Sequence, residues 1–202
     1  GTTRDYILNL EIVLPNGEIL WTGANTLKYS TAYNLTHLLI GSEGTLAVIT
    51  KIVLKLVPKI PHNILLLFSF ESEIDACKAV NDLFLNYVVP SALEFMERDA
   101  IEWSIKYNEI SNITINEKTN ALLLIELENK DKEKLFEEAS YVNEILQKYP
   151  LATEPLMAET EEEKNTLWKI RRKVGEAVKS HSIYKEEDTV VPRAHLPELL
   201  KQ

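Results

Sequence analysis

The chain lacks most of the marks by which catalytic families declare themselves. A single cysteine, Cys77, in 202 residues excludes a disulfide framework and any cysteine-rich zinc site, and suits a reducing compartment. Within "EIDACKAVNDL" it lies on an apolar helical stripe with no histidine or cation beside it, which marks a small core residue and not a nucleophile. No apolar run approaches the ~18 residues of a membrane span, and the first residues carry neither the basic nor the apolar region of a signal peptide, so a soluble chain is expected. The four histidines, His37, His62, His181 and His195, show no H-x-x-x-H or H-E-x-x-H spacing, and none is assigned as a metal ligand. A G-x-S-x-G elbow, a Walker loop and a G-x-G-x-x-G fingerprint are all missing, which removes the usual support for hydrolase, nucleoside triphosphatase and nicotinamide-binding readings.

Positive charge is also scarce. Lys and Arg number 22 against 31 Asp and Glu, a formal charge of -9, whereas a nucleic-acid surface needs clustered cations. The nearest approach to a basic patch is "KIRRKVGEAVK" (169–179), read as a helix end with one useful arginine. "ETEEEK" (159–164) is a negatively charged helix start that complements the helix dipole.

What remains is an ordinary globular composition, 45% hydrophobic and 26% charged, with clear periodicities. Leu8, Leu10, Ile12 and Leu14 alternate with Asn9 and Glu11, the period of a half-buried strand; Pro15-Asn16-Gly17 turns it into a second strand from Glu18 to about Thr22. Residues 47–57 alternate again, and "PKIP" (58–61) breaks the run. We place a domain boundary there. Beyond it come a strand "HNILLLFSF", a helix opened by Ser72 and Asp75, strand "SALEFM", helix "RDAIEWSIKY", strand "ALLLIEL" and a helix through Leu135, Ala139, Val142 and Leu146. Thr160 and Glu163 form a capping box, and "DTVVP" is the last expected strand. Alternating strands and helices predict an α+β fold of ferredoxin-like character with an antiparallel sheet.

Between two apolar runs lies Gly41-Ser42-Glu43-Gly44-Thr45. Its glycines satisfy positive φ in a bare connection, or they clear space for backbone N–H groups and the Ser42 and Thr45 hydroxyls to reach an anionic or heteroaromatic ligand. Spacing leaves both readings open.

"YNLTHLLIGSEGTLAVITKIVLKLVPK" (33–59) resembles the end of the FAD-binding domain in flavin-linked oxidases of the vanillyl-alcohol-oxidase type, a group that includes the glycolate oxidase catalytic subunit, D-lactate dehydrogenase and D-2-hydroxyglutarate dehydrogenase. "GTTRDYILNLEIVLPNGEIL" resembles the strand pair before it, and "SALEFMERDAI", "LWKIRRKV" and "EDTVVPRAHLPELL" resemble landmarks of the C-terminal, or cap, domain. The resemblance implies that residues 1–58 are the C-terminal part of a PCMH-type FAD-binding domain and 59–202 a truncated cap domain. It implies FAD contacts, mostly through backbone, at Glu43, Gly44, Thr45, Leu46, Ala47, Val48 and Ile49, and substrate-carboxylate binding by Arg171, three residues after Trp168. A guanidinium suits bidentate carboxylate recognition. The sequence departs from the family at Ala47, where glycine is common, and at "TAYNL", where G-Y-D-L is frequent. Gly175 and Glu186 stand where the hydroxyglutarate branch has a threonine and a lysine for the second carboxylate, which disfavours that substrate.

The implied activity is oxidation of a D-2-hydroxy acid to a 2-oxo acid, with hydride transfer to flavin and electrons leaving to a separate acceptor. Its setting is cytoplasmic, or peripheral to a membrane through that acceptor. An alkyl-glycerone-phosphate synthase-like flavoenzyme and a non-catalytic ferredoxin-like interaction domain are the alternatives. Opening without methionine and closing as a helix begins, the sequence reads as a piece of a longer protein. The family's pyrophosphate loop and its histidine-rich motif, with any divalent metal, are expected outside it. The piece alone is expected neither to hold FAD tightly nor to turn over.

Overall fold

The computed structural model describes residues 2–110, 115–181, 183–185 and 189–201. They divide into two compact units, residues 1–59 and 60–202.

The first unit is a three-stranded antiparallel sheet in the order β2-β1-β3, with β1 at Ile7–Val13, β2 at Ile19–Trp21 and β3 at Val48–Leu54. The hairpin closes as Pro15-Asn16-Gly17 predicts. The Gly17 N–H donates to the Leu14 carbonyl at 2.9 Å and Gly17 takes φ +86°, the left-handed bulge position that glycine occupies without strain. Leu10 and Ile12 on one face of β1 pack with Leu39 of the short helix α1 (Leu35–Leu39) and with Ala47. The other face differs from a solvated one: Asn9 is only 4% exposed. Its Oδ1 accepts from the Gly23 N–H at 2.7 Å and its Nδ2 donates to Asn25 Oδ1 at 2.9 Å, so the loop after β2 covers it. The edge strand β3 leaves Val48, Ile49, Ile52 and Leu54 exposed.

The second unit is a four-stranded antiparallel sheet in the order β5-β6-β4-β7, with β4 at His62–Phe70, β5 at Ala92–Glu97, β6 at Ala121–Asn129 and β7 at Leu156–Ala158. Helix α2 (Glu73–Leu85) joins β4 to β5 and α4 (Lys132–Leu146) joins β6 to β7. This is the ferredoxin-like βαββαβ order, with an additional helix α3 (Arg98–Tyr107) between its second and third strands. Helices α5 (Glu161–Arg172), α6 (Val174–His181) and α7 (Leu196–Leu199) follow.

Both sheet faces are covered. Ile64, Leu66, Phe68 and Phe70 of β4 and Leu123, Ile125 and Leu127 of β6 meet α2 and α4 through Ala76, Val80, Leu83, Leu135, Val142 and Leu146. Leu65, Leu67, Leu122 and Leu124 meet Ile101 of α3 and Leu167 and Ile170 of α5. That double burial is why "ILLLF" and "ALLLI" are continuous apolar runs and not alternations. Helix starts are capped as expected: Ser72 Oγ accepts from the Asp75 N–H at 3.2 Å, and Thr160 and Glu163 exchange both bonds of a capping box.

Two elements differ from the sequence reading. The expected strand "DTVVP" is absent over its described residues, Thr189–Pro192; Val190 is 93% exposed, and no described strand lies alongside to take its hydrogen bonds. In its place β7 forms the fourth strand, through pairing of Leu156, Met157 and Ala158 with Leu67, Leu66 and Leu65.

Candidate functional site

The expected site residues fall in both units. In the first, α1 ends at Leu39 and the chain doubles back through Gly41 (φ +86°), Glu43 (φ +50°) and Gly44 (φ +76°) before entering β3. Three left-handed residues in four turn the backbone inside out. Ser42 N–H donates to the Leu39 carbonyl at 3.1 Å, and the Thr45 N–H and hydroxyl both donate to the Ser42 carbonyl, at 3.0 and 2.6 Å. Thr45 is thereby left as an acceptor toward any ligand. The N–H groups of Glu43, Gly44 and Leu46 meet no acceptor among the described residues, and a Cβ built on Gly44 meets nothing within 4 Å. Bare backbone whose N–H groups have no acceptor among the described residues is what a phosphate-bearing or heteroaromatic cofactor requires, so these residues fit FAD. Glu43 itself sits where a side chain costs about 1–2 kcal/mol.

The two departures from the family's glycines resolve differently. Ala47 has no positive φ and is buried against Leu10, Ile12 and Leu39, so its methyl is part of the core. Ala32, in "TAYNL", has φ +62° and is exposed; here an alanine occupies a backbone conformation that glycine holds more cheaply. Two residues on, Asn34 caps α1 by accepting the His37 N–H at 2.9 Å. Val48 and Ile49 lie in β3 opposite Val13 and Ile12.

In the second unit, Arg171 is in the last turn of α5. Leu167 and Ile170 anchor that turn to the sheet, and Arg171 reaches the rim of the same face, where its Nε donates to Glu94 Oε2 of β5 at 2.6 Å. The two side chains are 43% and 31% exposed. Neither terminal guanidinium nitrogen has a partner among the described residues. Arg172 lies instead against the Trp168 ring, 5.7 Å from its centroid. The basic run closes with Lys173, whose Nζ meets both Glu176 oxygens at 2.7 Å; that bond holds the ammonium pKa above, and the carboxyl pKa below, their ordinary values. Within "KIRRK" the side chains of Arg171, Arg172 and Lys173 thus each have a contact, while Lys169 is exposed. Gly175 lies in α6 facing open space, and Glu186 falls outside the described residues.

Sequence reading missed the polar partners under α5. Lys164 is 6% exposed; its Nζ contacts Asn63 Oδ1 at 2.8 Å and Glu161 Oε1 at 2.5 Å, and Asn63 Nδ2 donates to Glu126 Oε1 at 2.7 Å. A signal existed: Lys164, Leu167 and Arg171 share one helix face, and Glu94 falls in register with Met96 on a strand face that is otherwise buried. Cys77 is buried, and desolvation, with smaller effects of Glu97 and Glu73, pushes its thiol up to about 11, so it carries no chemistry.

A family model describing the C-terminal domain of FAD linked oxidases matches residues 60–202. The chain belongs to the FAD-linked oxidase family. Among relatives of this FAD-linked oxidase chain, a D-lactate dehydrogenase of Anaerostipes hadrus is 33% identical over 208 residues, covering 99% of the chain and 43% of that protein. The glycolate oxidase subunit GlcD of Bacillus subtilis is 33% identical over 210 residues, covering 100% of the chain and 42% of that protein. The chain thus spans less than half the length of these relatives. Among solved structures, an alkyldihydroxyacetonephosphate synthase superposes with a TM-score of 0.61 at 22% identity over 98% of the chain and 39% of its own. A substrate-bound p-cresol methylhydroxylase gives 0.61 at 17% over 82% and 37%. At such identities these two establish a shared fold and nothing further. No helix among the described residues is long and apolar enough to cross a membrane.

Proposed function

We propose that this chain is part of an FAD-dependent dehydrogenase or oxidase of small D-2-hydroxy acids, of the glycolate or D-lactate type. Residues 1–58 would close a PCMH-type FAD-binding domain, and 59–202 would form most of the cap that receives the substrate. The observation that carries the substrate reading is Arg171: its guanidinium is tied at Nε and, among the described residues, unpartnered at its terminal nitrogens, the arrangement that leaves a parallel donor pair for a carboxylate.

FAD, when bound, supplies a two-electron acceptor for the substrate's α-hydrogen. The N–H groups of Glu43, Gly44 and Leu46 would hold the cofactor without side-chain obstruction, and Thr45 would accept a hydrogen bond from it. Arg171 captures the substrate carboxylate and fixes its orientation, so that the carbon bearing the hydroxyl is presented in one pose. No residue of this chain is assigned as the base that takes the hydroxyl proton.

The test is reduction of the complete FAD-loaded protein, of which this chain is a part, followed at the flavin absorbance band under anaerobic conditions. D-lactate or glycolate bleaches the band, L-lactate does so far more slowly, and Arg171→Ala raises the half-saturating concentration about 100-fold or more, as loss of a charge-assisted pair requires. Bleaching by neither acid, or an Arg171→Ala protein with unchanged saturation, refutes the reading.

A further inference from the structure

We infer that Glu94 is the positioning residue of the Arg171 carboxylate anchor, an inference that rests on the role of Arg171 proposed above. The geometry is specific. Arg171 Nε donates to Glu94 Oε2 at 2.6 Å, a charge-assisted bond at the short end of its range. Glu94 is fixed in turn by β5, where it stands opposite Leu124 of β6. The backbone of Arg171 is fixed by Leu167 and Ile170 on the buried face of α5. The guanidinium is therefore held from a helix on one side and a strand on the other, although it is 43% exposed.

This matters because a free arginine is among the most rotamer-rich side chains, and ordering it must be met by the ligand unless the protein has already done so. Glu94 takes the Nε edge and leaves the Nη1/Nη2 edge as the preorganised fork. Arg172, the alternative cation on the same turn, is turned away against Trp168 and has no carboxylate to fix it among the described residues. The sheet rim thus selects one of two adjacent arginines and orients it. Glu94 does not touch substrate in this scheme; it acts through Arg171.

The experiment uses the complete FAD-loaded protein, of which this chain is a part, with D-lactate and glycolate as probes, and four forms: wild type, Glu94→Ala, Arg171→Ala and the double variant. Glu94→Ala is expected to raise KM about tenfold, the factor that ~1.4 kcal/mol of side-chain ordering produces. Glu94→Gln, which keeps an acceptor for the Nε–H, should recover most of that loss. In the Arg171→Ala background, Glu94→Ala should add nothing, because a residue acting only through Arg171 is fully coupled to it. The Arg171 Nε–Hε NMR resonance supplies a reading free of turnover, slow to exchange with solvent in wild type and fast in Glu94→Ala. If Arg171→Ala raises KM and Glu94→Ala stays within twofold of wild type, or the two losses simply add, the positioning role is overturned while the carboxylate anchor stands. If Arg171→Ala leaves KM unchanged, the anchor itself fails and the positioning role with it.

Discussion

Two alanines stand where the family resemblance expects glycine, and the structure assigns opposite signs to restoring it. Ala32 has φ +62° and is exposed. An L-residue there costs about 1–2 kcal/mol, while glycine adds about 0.5–1 kcal/mol of unfolded-state entropy; with no packing lost, Ala32→Gly should stabilise the first unit by roughly 0.5–1 kcal/mol. Ala47 has no positive φ and is buried beside Leu10, Ile12 and Leu39. Removing its methyl forfeits about 0.8 kcal/mol of burial on top of the same entropy cost, so Ala47→Gly should destabilise by about 1.5 kcal/mol. Native-state amide exchange at Leu10 and Ile12 of β1 reads both changes locally, about a two- to fivefold slowing in one variant and about a tenfold acceleration in the other. If the two substitutions move exchange in the same direction, the backbone assignment of this loop is wrong.

Further expectations follow from the same geometry. Gly44→Ala should cost only about 1 kcal/mol, since its φ is +76° but a Cβ there meets open space; a loss above about 3 kcal/mol in urea denaturation would mean the site is crowded. Asp82 is held below the usual carboxyl range by Lys148 and then by the Tyr149 hydroxyl, while burial and then Asp82 hold Tyr149 above the usual phenol range. The Asp82 contribution is complete above its unfolded pKa near ~3.9 and is lost as pH falls through the lowered folded value; the Tyr149 contribution is complete below ~10 and is lost as pH rises through the raised one. Urea midpoints should therefore be flat between these limits, and Tyr149→Phe should flatten the alkaline limb. Lys164→Ala should destabilise by about 2 kcal/mol by leaving the Asn63 Oδ1 without its donor, and Lys164→Met should recover part of it, measured by chemical denaturation. With its thiol at about 11, buried Cys77 should stay unmodified by a thiol reagent at pH 8 until the chain is unfolded.

Some of this architecture was written locally and some was not. Pro15-Asn16-Gly17 specifies its own hairpin, and Thr160 with Glu163 specifies its own cap, because each bond partner lies within three residues. The apolar runs of β4 and β6 identify buried strands because both faces of each are covered, so the run itself carries no polar alternation. The strand β7 has only three residues and exists through pairing with Leu65–Leu67, a contact that no window around "PLMA" contains. "DTVVP" has the composition of a strand but no neighbour among the described strands. At the candidate site, the bare turn was legible in Gly41 and Gly44, and the left-handed φ of Glu43 and Ala32 was not, since neither residue type demands it. Glu94 read as one polar residue in a strand; that its face is covered by α5, so that it must find a cation, is a tertiary fact. Asn9 is the same case, hidden by a loop that begins 13 residues later.

The extra helix α3, together with α5, closes the face of the ferredoxin-like sheet that many proteins of this topology keep open. A sheet sealed on both sides has no flat platform left on which to lay a ligand. Under the proposed function, recognition would fall at the perimeter, where helix ends and strand rims meet, and the interior is free to diverge only as a packing problem. Substitutions that alter specificity should accordingly collect at positions such as Glu94, Arg171 and Lys173, while Leu65, Leu67, Leu122 and Leu124 exchange only for side chains of like volume.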